Sequence, residues 1–373
     1  MGGHRTAAGW LHRSQRIRMD RGPDTPSAIP VPRKAPILML DPRIVGQRAD
    51  GRPIFLIAGG AENNFSQWIP EEFSSDVIQR VNQMSAVETY AQKVPMGTET
   101  RSTPRSGGVN VGLVSKGGVY TEDQNVNDQV ILTVQKFGQS IRIAEEDIDD
   151  SLADIVAAKQ KDWATSYAKM IDNACLGVSV AKATSGCLFD STYYQLSQND
   201  ASTGYVGGTN ITQTATGAPQ VSFANLSAAA GIYEAGDYFD EGGTLVIAHP
   251  SYKAILRGVV DTQGRPIFQE STGGFPGGGM APTPDKVFGY DIKWSLGCRT
   301  STTATQTPTG NPLMVFCNPL YMYLGVRSGP ESIFIDGRNG LAALTDESIL
   351  KMRAHRGYNI GHENAFSILE RRA

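Results

Sequence analysis

Residues 97–177 constrain this chain more than any other stretch. From Gly97 to about Gln139 the sequence is glycine-rich and polar. It alternates as a two-stranded ribbon does: Val130, Leu132 and Val134 fall on one face, and Gln129, Ile131, Thr133 and Gln135 on the other. Ile141 and Ile143 continue the pattern, and an amphipathic helix follows without a break, predicted from about Glu145 to Leu176. A ribbon of this kind has little apolar surface of its own to bury, and a lone hairpin is marginal in water. A chain that keeps one must stabilise it against something else, and the nearest source is another copy of itself. The pattern predicts an inter-subunit clasp, and so an assembling protein rather than an enzyme.

The helix is read from its spacing. Ile148, Leu152, Ile155, Val156, Trp163, Tyr167, Met170, Ile171 and Ala174 recur every three to four residues. Glu145, Glu146, Asp147, Asp149 and Asp150 crowd its start, where they favour the helix dipole, and Gly177 suits its stop. At this length it would span roughly 45 Å and form the spine of a flat domain.

Residues 1–65 carry proline at positions 23, 26, 30, 32, 36, 42 and 53 and read as an extended arm. The first 22 residues are arginine-rich without an apolar signal core, which predicts no secretion, and Met19 offers a second possible start. Order is expected from about Trp68, with a short helix presenting Phe73, Val77 and Val81 and ending near Met84, then a strand over Val87–Met96. Residues 97–118 and 119–135 form the two arms of the hairpin. Residues 178–222 read as loop, and so do 271–284 and 299–311. Helices are predicted over Phe223–Ala235 and Tyr252–Val259. Strands are predicted over Thr244–Ala248, Val287–Trp294, Leu313–Phe316, Tyr321–Val326 and Ser332–Ile335. The last segment, Ser348–Leu369, sets Leu350, Met352 and Ala354 against Lys351, Arg353 and His355, with a bulge at Arg356-Gly357. Helices and strands mix without a βαβ rhythm, so the fold class is α+β.

The 373 residues are 40% hydrophobic, enough for a real core, and the net charge of -3 gives no global signal for nucleic acid or an anionic membrane. No apolar run approaches the roughly 20 residues that span a bilayer. Cys175, Cys187, Cys298 and Cys317 form no CxxC pair and are expected as reduced residues. Motifs for chemistry fail on inspection. Residues 123–134 open like a calcium loop, but Asp128 takes the place of the turn glycine and Val134 that of the final glutamate. His362-Glu363 begins a zinc motif that Phe366 ends, and His249 and His355 have no partner at ligand spacing. The glycine run 273–279 lacks the Lys-Ser/Thr of a phosphate loop, and no GxSxG elbow exists. No cofactor, metal or catalytic residue is predicted. A hydrolase built on His249, His355 or His362 is the reading from a different class.

The order of these pieces resembles a known family. Ile69-Pro70-Glu71 opens the first helix, and Val94-Pro95-Met96 ends the first strand. Gly118-Val119-Tyr120-Thr121-Glu122 lies in the ribbon and Ile143-Ala144-Glu145-Glu146-Asp147 starts the spine. Val246-Ile247-Ala248-His249-Pro250, Asp261-Thr262-Gln263-Gly264-Arg265-Pro266-Ile267 and Phe288-Gly289-Tyr290-Asp291-Ile292 follow in turn. Arg353–Arg356 and Asn364-Ala365-Phe366 close the set. Over residues 66–370 the chain resembles the major capsid proteins of tailed bacteriophages, the Hong Kong 97-like fold shared with encapsulins. Where the family often has a capping serine, Ala144 stands here.

The resemblance implies four parts: a flexible arm at 1–65, an extended loop at 97–139, a peripheral domain from 66–96, 140–177 and 339–373, and an axial domain at 178–338. It implies a non-enzymatic subunit that assembles as hexamers and pentamers into an icosahedral head around double-stranded DNA. The head would be built in the host cytoplasm and carried in the virion. Implied partners are other copies, a separate scaffolding protein, a portal and a decoration protein, with no membrane. An encapsulin-like cellular compartment is the alternative. Some members cross-link a loop lysine to an asparagine of the peripheral domain, and Lys116 and Asn339 stand in those parts, with no glutamate at a matching place.

Overall fold

The computed structural model describes residues 43–47, 53–56, 79–109, 111–122, 127–151, 154–215, 220–270, 285–335 and 346–372. The chain divides into two units, residues 1–72 and 73–373. In the first, within the segment expected as an arm, β1 (Arg43–Gln47) pairs antiparallel with β2 (Pro53–Leu56).

The second unit departs from expectation at its start. Residues 79–85 are irregular where the end of a helix was expected, and residues 71–78 lie outside the described set. Ala86–Tyr90 is helical (α1) rather than strand. Two caps explain it. The Ser85 hydroxyl accepts from the Glu88 amide at 3.0 Å, and the buried carboxylate of Asp172 accepts from the amides of Ala86 and Val87 at 3.0 and 3.1 Å. A carboxylate 86 residues away in sequence thus satisfies the open end of a five-residue helix. Local propensity carries no trace of it.

β3 (Gln92–Pro95) and β4 (Thr100–Arg105) follow, then β5 (Asp128–Ala144), a 17-residue strand. The predicted spine is split into α2 (Glu145–Asp149) and α3 (Ile155–Leu176). Asp154 starts the second piece by accepting from the Ala157 amide at 2.9 Å. Ala144 begins α2 with no side-chain cap, as the missing hydroxyl predicts. At 22 residues α3 spans roughly 33 Å, shorter than the unbroken helix predicted. The stretch read as loop holds α4 (Lys182–Ser185), α5 (Thr192–Ser197) and β6 (Ile211–Gln213).

α6 (Phe223–Glu234) opens on a reciprocal Ser222–Asn225 capping box. Then come β7 (Leu245–Ala248), α7 (Ser251–Leu256), β8 (Phe268–Gln269), β9 (Lys286–Val287), β10 (Tyr290–Trp294) and β11 (Leu313–Cys317). The strand predicted over Val287–Trp294 is a hairpin folded at Phe288-Gly289, both with positive φ. β12 (Met322–Ile335) merges two predicted strands, and the last segment is two strands, β13 (Glu347–Ile360) and β14 (Phe366–Glu370). The bulges lie on β12, between Val326 and Glu331, and not at Arg356-Gly357.

The strands form a seven-stranded sheet in the order β6-β14-β11-β7-β10-β9-β8 and a five-stranded sheet in the order β3-β12-β13-β5-β4. These cross the expected domain boundaries. β14, expected in the peripheral part, lies between β6 and β11 in the seven-stranded sheet. β12, expected in the axial part, runs beside β3 and β13.

The seven-stranded sheet is covered on both faces, which is why LVIA and LMVFC are unbroken apolar runs. Leu245, Ile247, Val315 and Phe366 join Ile171, Cys175 and Leu176 of α3 in one core. Val246, Phe316 and Leu369 meet Leu226 and Tyr233 of α6 and Tyr252 of α7 in the other. Each such side chain, fully removed from water, contributes about 1.5–3 kcal/mol. All four cysteines are buried here as free thiols, and burial pushes each thiol up.

Candidate assembly interface

The hairpin is built in two halves. Near the body, Thr100↔Thr133 through Arg105↔Asp128 are in antiparallel register. Val130, Leu132 and Val134 turn inward as the alternation predicts, and the latter two pack on Met96, Val94 and Tyr323. Beyond Arg105 the pairing stops. Every described residue from 106 to 122 is exposed. The reversal at Ser115–Gly118 is a tight turn, closed by the Gly118 amide on the Ser115 carbonyl at 2.8 Å, with Gly117 at the position that demands positive φ.

The tip is apolar, which the reading of a polar ribbon missed. Val109, Val111, Leu113, Val119 and Tyr120 are 73%, 96%, 107%, 92% and 82% exposed. Val114 is exposed as well; scattered single hydrophobics are ordinary on a surface, whereas six on one loop are the pattern of a contact site. The sequence carried the signal in VNVGLV, hidden by its glycines.

Three buried polar devices hold the platform that carries the hairpin. Arg105, at the end of β4, donates from Nε to Asp128 Oδ1 at 2.7 Å and from Nη2 to Asp200 Oδ2 at 2.9 Å, and lies 3.6 Å from Glu363. Its hydrogen bond holds Asp128 below the usual carboxylate range, whereas burial raises Glu363. Arg356 on β13, 5% exposed, donates from Nε to Glu88 Oε1 at 2.6 Å, and Tyr167 on α3 donates to the same oxygen at 2.6 Å. Asn173 on α3 donates to the carbonyls of Gly297 and Arg299 at 3.2 and 2.8 Å and accepts from Ser301 Oγ at 2.8 Å and the Thr305 amide at 3.2 Å. That side chain orders the start of the threonine-rich 299–311 segment, which composition alone reads as a featureless loop.

Lys116 stands on the exposed tip, and Asn339 lies outside the described residues. Of the calcium-like run at 123–134, residues 123–126 lie outside the described set, and Asp128 pairs with Arg105.

The three histidines occupy separate places. His249 Nδ1 meets Ser251 Oγ at 2.8 Å in the turn before α7, and His355 Nδ1 meets Ser328 Oγ at 2.6 Å across β12 and β13. His362 accepts the Asn364 amide at 3.1 Å and stacks on Tyr238 at 4.1 Å. Among the described residues no group of His, Cys, Asp and Glu is placed to hold a metal, and no helix is long and apolar enough to cross a membrane.

Comparison with known proteins decides the family. The model of the phage capsid family matches residues 67–370. The chain belongs to the phage capsid family. Among curated proteins it is similar to the probable major capsid protein gp17 of Mycobacterium phage L5, 23% identical over 217 residues, which are 58% of this chain and 62% of that one. The chain therefore spans about three fifths of the length of that relative. Among solved structures it is similar to a chain of Mycobacterium phage Bobi (TM-score 0.61, 15% identity, covering 82% of this chain and 96% of that one). It is also similar to the capsid of a native GTA particle (TM-score 0.61, 12% identity, covering 85% and 100%). At these identities the structural likeness speaks for the fold, and the fold is that of phage capsid subunits.

Proposed function

We propose that this chain is a major capsid protein, a structural subunit whose copies assemble as hexamers and pentamers into a closed icosahedral shell around double-stranded DNA. The observation that carries the reading is the exposed apolar tip of the hairpin on a capsid-family platform. Among the described residues Val109, Val111, Leu113, Val119 and Tyr120 are left in water, and a neighbouring copy would cover them. Closed symmetric assembly supplies such a neighbour for every copy. In this reading residues 1–65 serve as an arm and 97–139 as the extended loop, and the five- and seven-stranded sheets carry the peripheral and axial regions.

The role needs no catalysis. A separate scaffolding protein, a portal and a decoration protein complete the assembly in this reading, which places the chain in the virion after assembly in host cytoplasm. The phage and GTA capsids among its relatives support a phage head over an encapsulin-like cellular compartment. Electron microscopy of the purified chain tests the proposal. Closed particles or capsomer rings are expected; a monodisperse monomer under every assembly condition refutes it.

A further inference from the structure

The hairpin leaves the body at one ionic tie. Below it the ribbon is packed, with Leu132 and Val134 buried and Asn359 Nδ2 donating to the Ile131 carbonyl at 2.8 Å. Above it, residues 106–109 and 111–122 are exposed. At the boundary stands Arg105, 14% exposed, whose single guanidinium serves both strands and the body. It forks onto Asp128 across the ribbon, then reaches Asp200, Glu363 and the Gly361 carbonyl, the last at 3.3 Å. The body side is itself fixed. The Ser202 amide donates to Asp200 at 2.9 Å, and Thr203 Oγ1 donates to Glu363 at 3.2 Å.

At the level of the tie itself the packing is incomplete. A cavity of about 190 Å³ sits beside it, lined by Pro104 and Val130 of the ribbon and by Tyr238, Tyr321, Tyr323 and His362 of the body. The ladder of β5 with β13 and the buried Leu132 and Val134 hold the ribbon up to that point, so at its last paired position, beside the cavity, the forked cation is the tie to the body, and removing it lets the end of the ribbon tilt.

We propose that Arg105 is the positioning residue of the hairpin: it pins the ribbon to Asp200 and Glu363, sets the direction in which the apolar tip leaves the subunit, and through that direction sets the curvature of the shell. The second half rests on the capsid reading above. Curvature enters because the tip is the projecting contact. A few degrees of tilt at the pin move the tip by a fraction of its length and change the angle between neighbours. Asp128 alone cannot hold the aim, since it travels with the ribbon.

The test separates the two halves. Spin labels at Ser115→Cys on the tip and Val206→Cys on the body, the latter 61% exposed in the wild type, report the tip-to-body distance in unassembled subunits. The four native thiols are buried and stay unlabelled. Arg105→Met and the milder Asp200→Asn are compared with the parent, with calorimetry confirming that each folds. We expect the distance distribution to widen at least twofold in both, with Arg105→Lys intermediate, because an ammonium cannot fork. Particles from the Met and Asn variants should show mixed diameters where the parent shows one. An unchanged width overturns the pin. A widened distribution with unchanged particle diameter overturns the link to curvature. If the parent forms no particle, the capsid reading fails and takes the curvature claim with it, while the distances still decide the pin.

Discussion

Replacing Val111 and Leu113 together by serine separates the energy of the fold from the energy of assembly. In the free subunit these side chains are 96% and 107% exposed, so they contribute no packing to lose. Surface changes of this kind shift stability by no more than about 0.5 kcal/mol. Buried against a neighbour, each is worth about 1.5–3 kcal/mol, or about 3–6 kcal/mol for the pair. Ordering the loop offsets part of that in the parent and the variant alike. At about 1.4 kcal/mol per factor of ten, the contact weakens by about 10²–10⁴-fold. Urea denaturation of the unassembled subunit measures the first quantity. Light scattering against concentration, read as the threshold at which particles appear, measures the second. The expected result is an unchanged urea midpoint with a threshold raised at least tenfold, since a subunit makes several contacts and the threshold reports their mean. An unchanged threshold would refute the assignment of the tip as the contact. A lowered urea midpoint would show that the tip packs on its own molecule.

Three further outcomes follow from the platform. Arg356→Met leaves Glu88, 22% exposed and still hydrogen-bonded by Tyr167, without its cation and should cost about 1.5–3 kcal/mol in chemical denaturation. Asn173→Ala removes the four hydrogen bonds that order the start of the 299–311 segment; a loss of about 2–3 kcal/mol is expected, with faster amide exchange at Thr300 and Ser301. Acid should destabilise the subunit between pH 6.5 and about 4. Burial lowers His249 and His362 from 6.5 to about 4 in the fold, so over that range the unfolded chain binds more protons and stability falls with pH. The slope is at most about 1.4 kcal/mol per pH unit for each histidine. Denaturation curves across this range should flatten in His249→Gln, and an unchanged slope would contradict the burial argument.

What the sequence made legible was periodic and local. Alternation placed Val130, Leu132 and Val134 inward, and Leu350, Met352 and Ala354 as well, because a strand with one buried face has no other way to write itself. Unbroken apolar runs marked the doubly covered strands around Ile247 and Val315, and the change of arm read between residues 118 and 119 falls beside the turn at Ser115–Gly118. The rest was decided by distant partners. Asp172 caps α1 from α3, so Ala86–Tyr90 reads as strand until that carboxylate is in place. The acidic run Glu145–Asp150 satisfies the rule for a helix start so well that it masks the second start at Asp154. β12 and β14 pair across a boundary drawn along the sequence, because pairing within the sheets ignores chain order. The Arg105 tie joins residues 95 positions apart on one side and 256 on the other, and no spacing rule finds it.

The claim beneath all of this is that the hairpin tip is a surface completed only by another copy. Amide hydrogen exchange at residues 109–120, measured on free subunits and on assembled particles, tests it most directly. The account predicts exchange at the unprotected rate in the subunit and protection of at least a hundredfold in the particle. Equal exchange in both states, with particles formed, would contradict it.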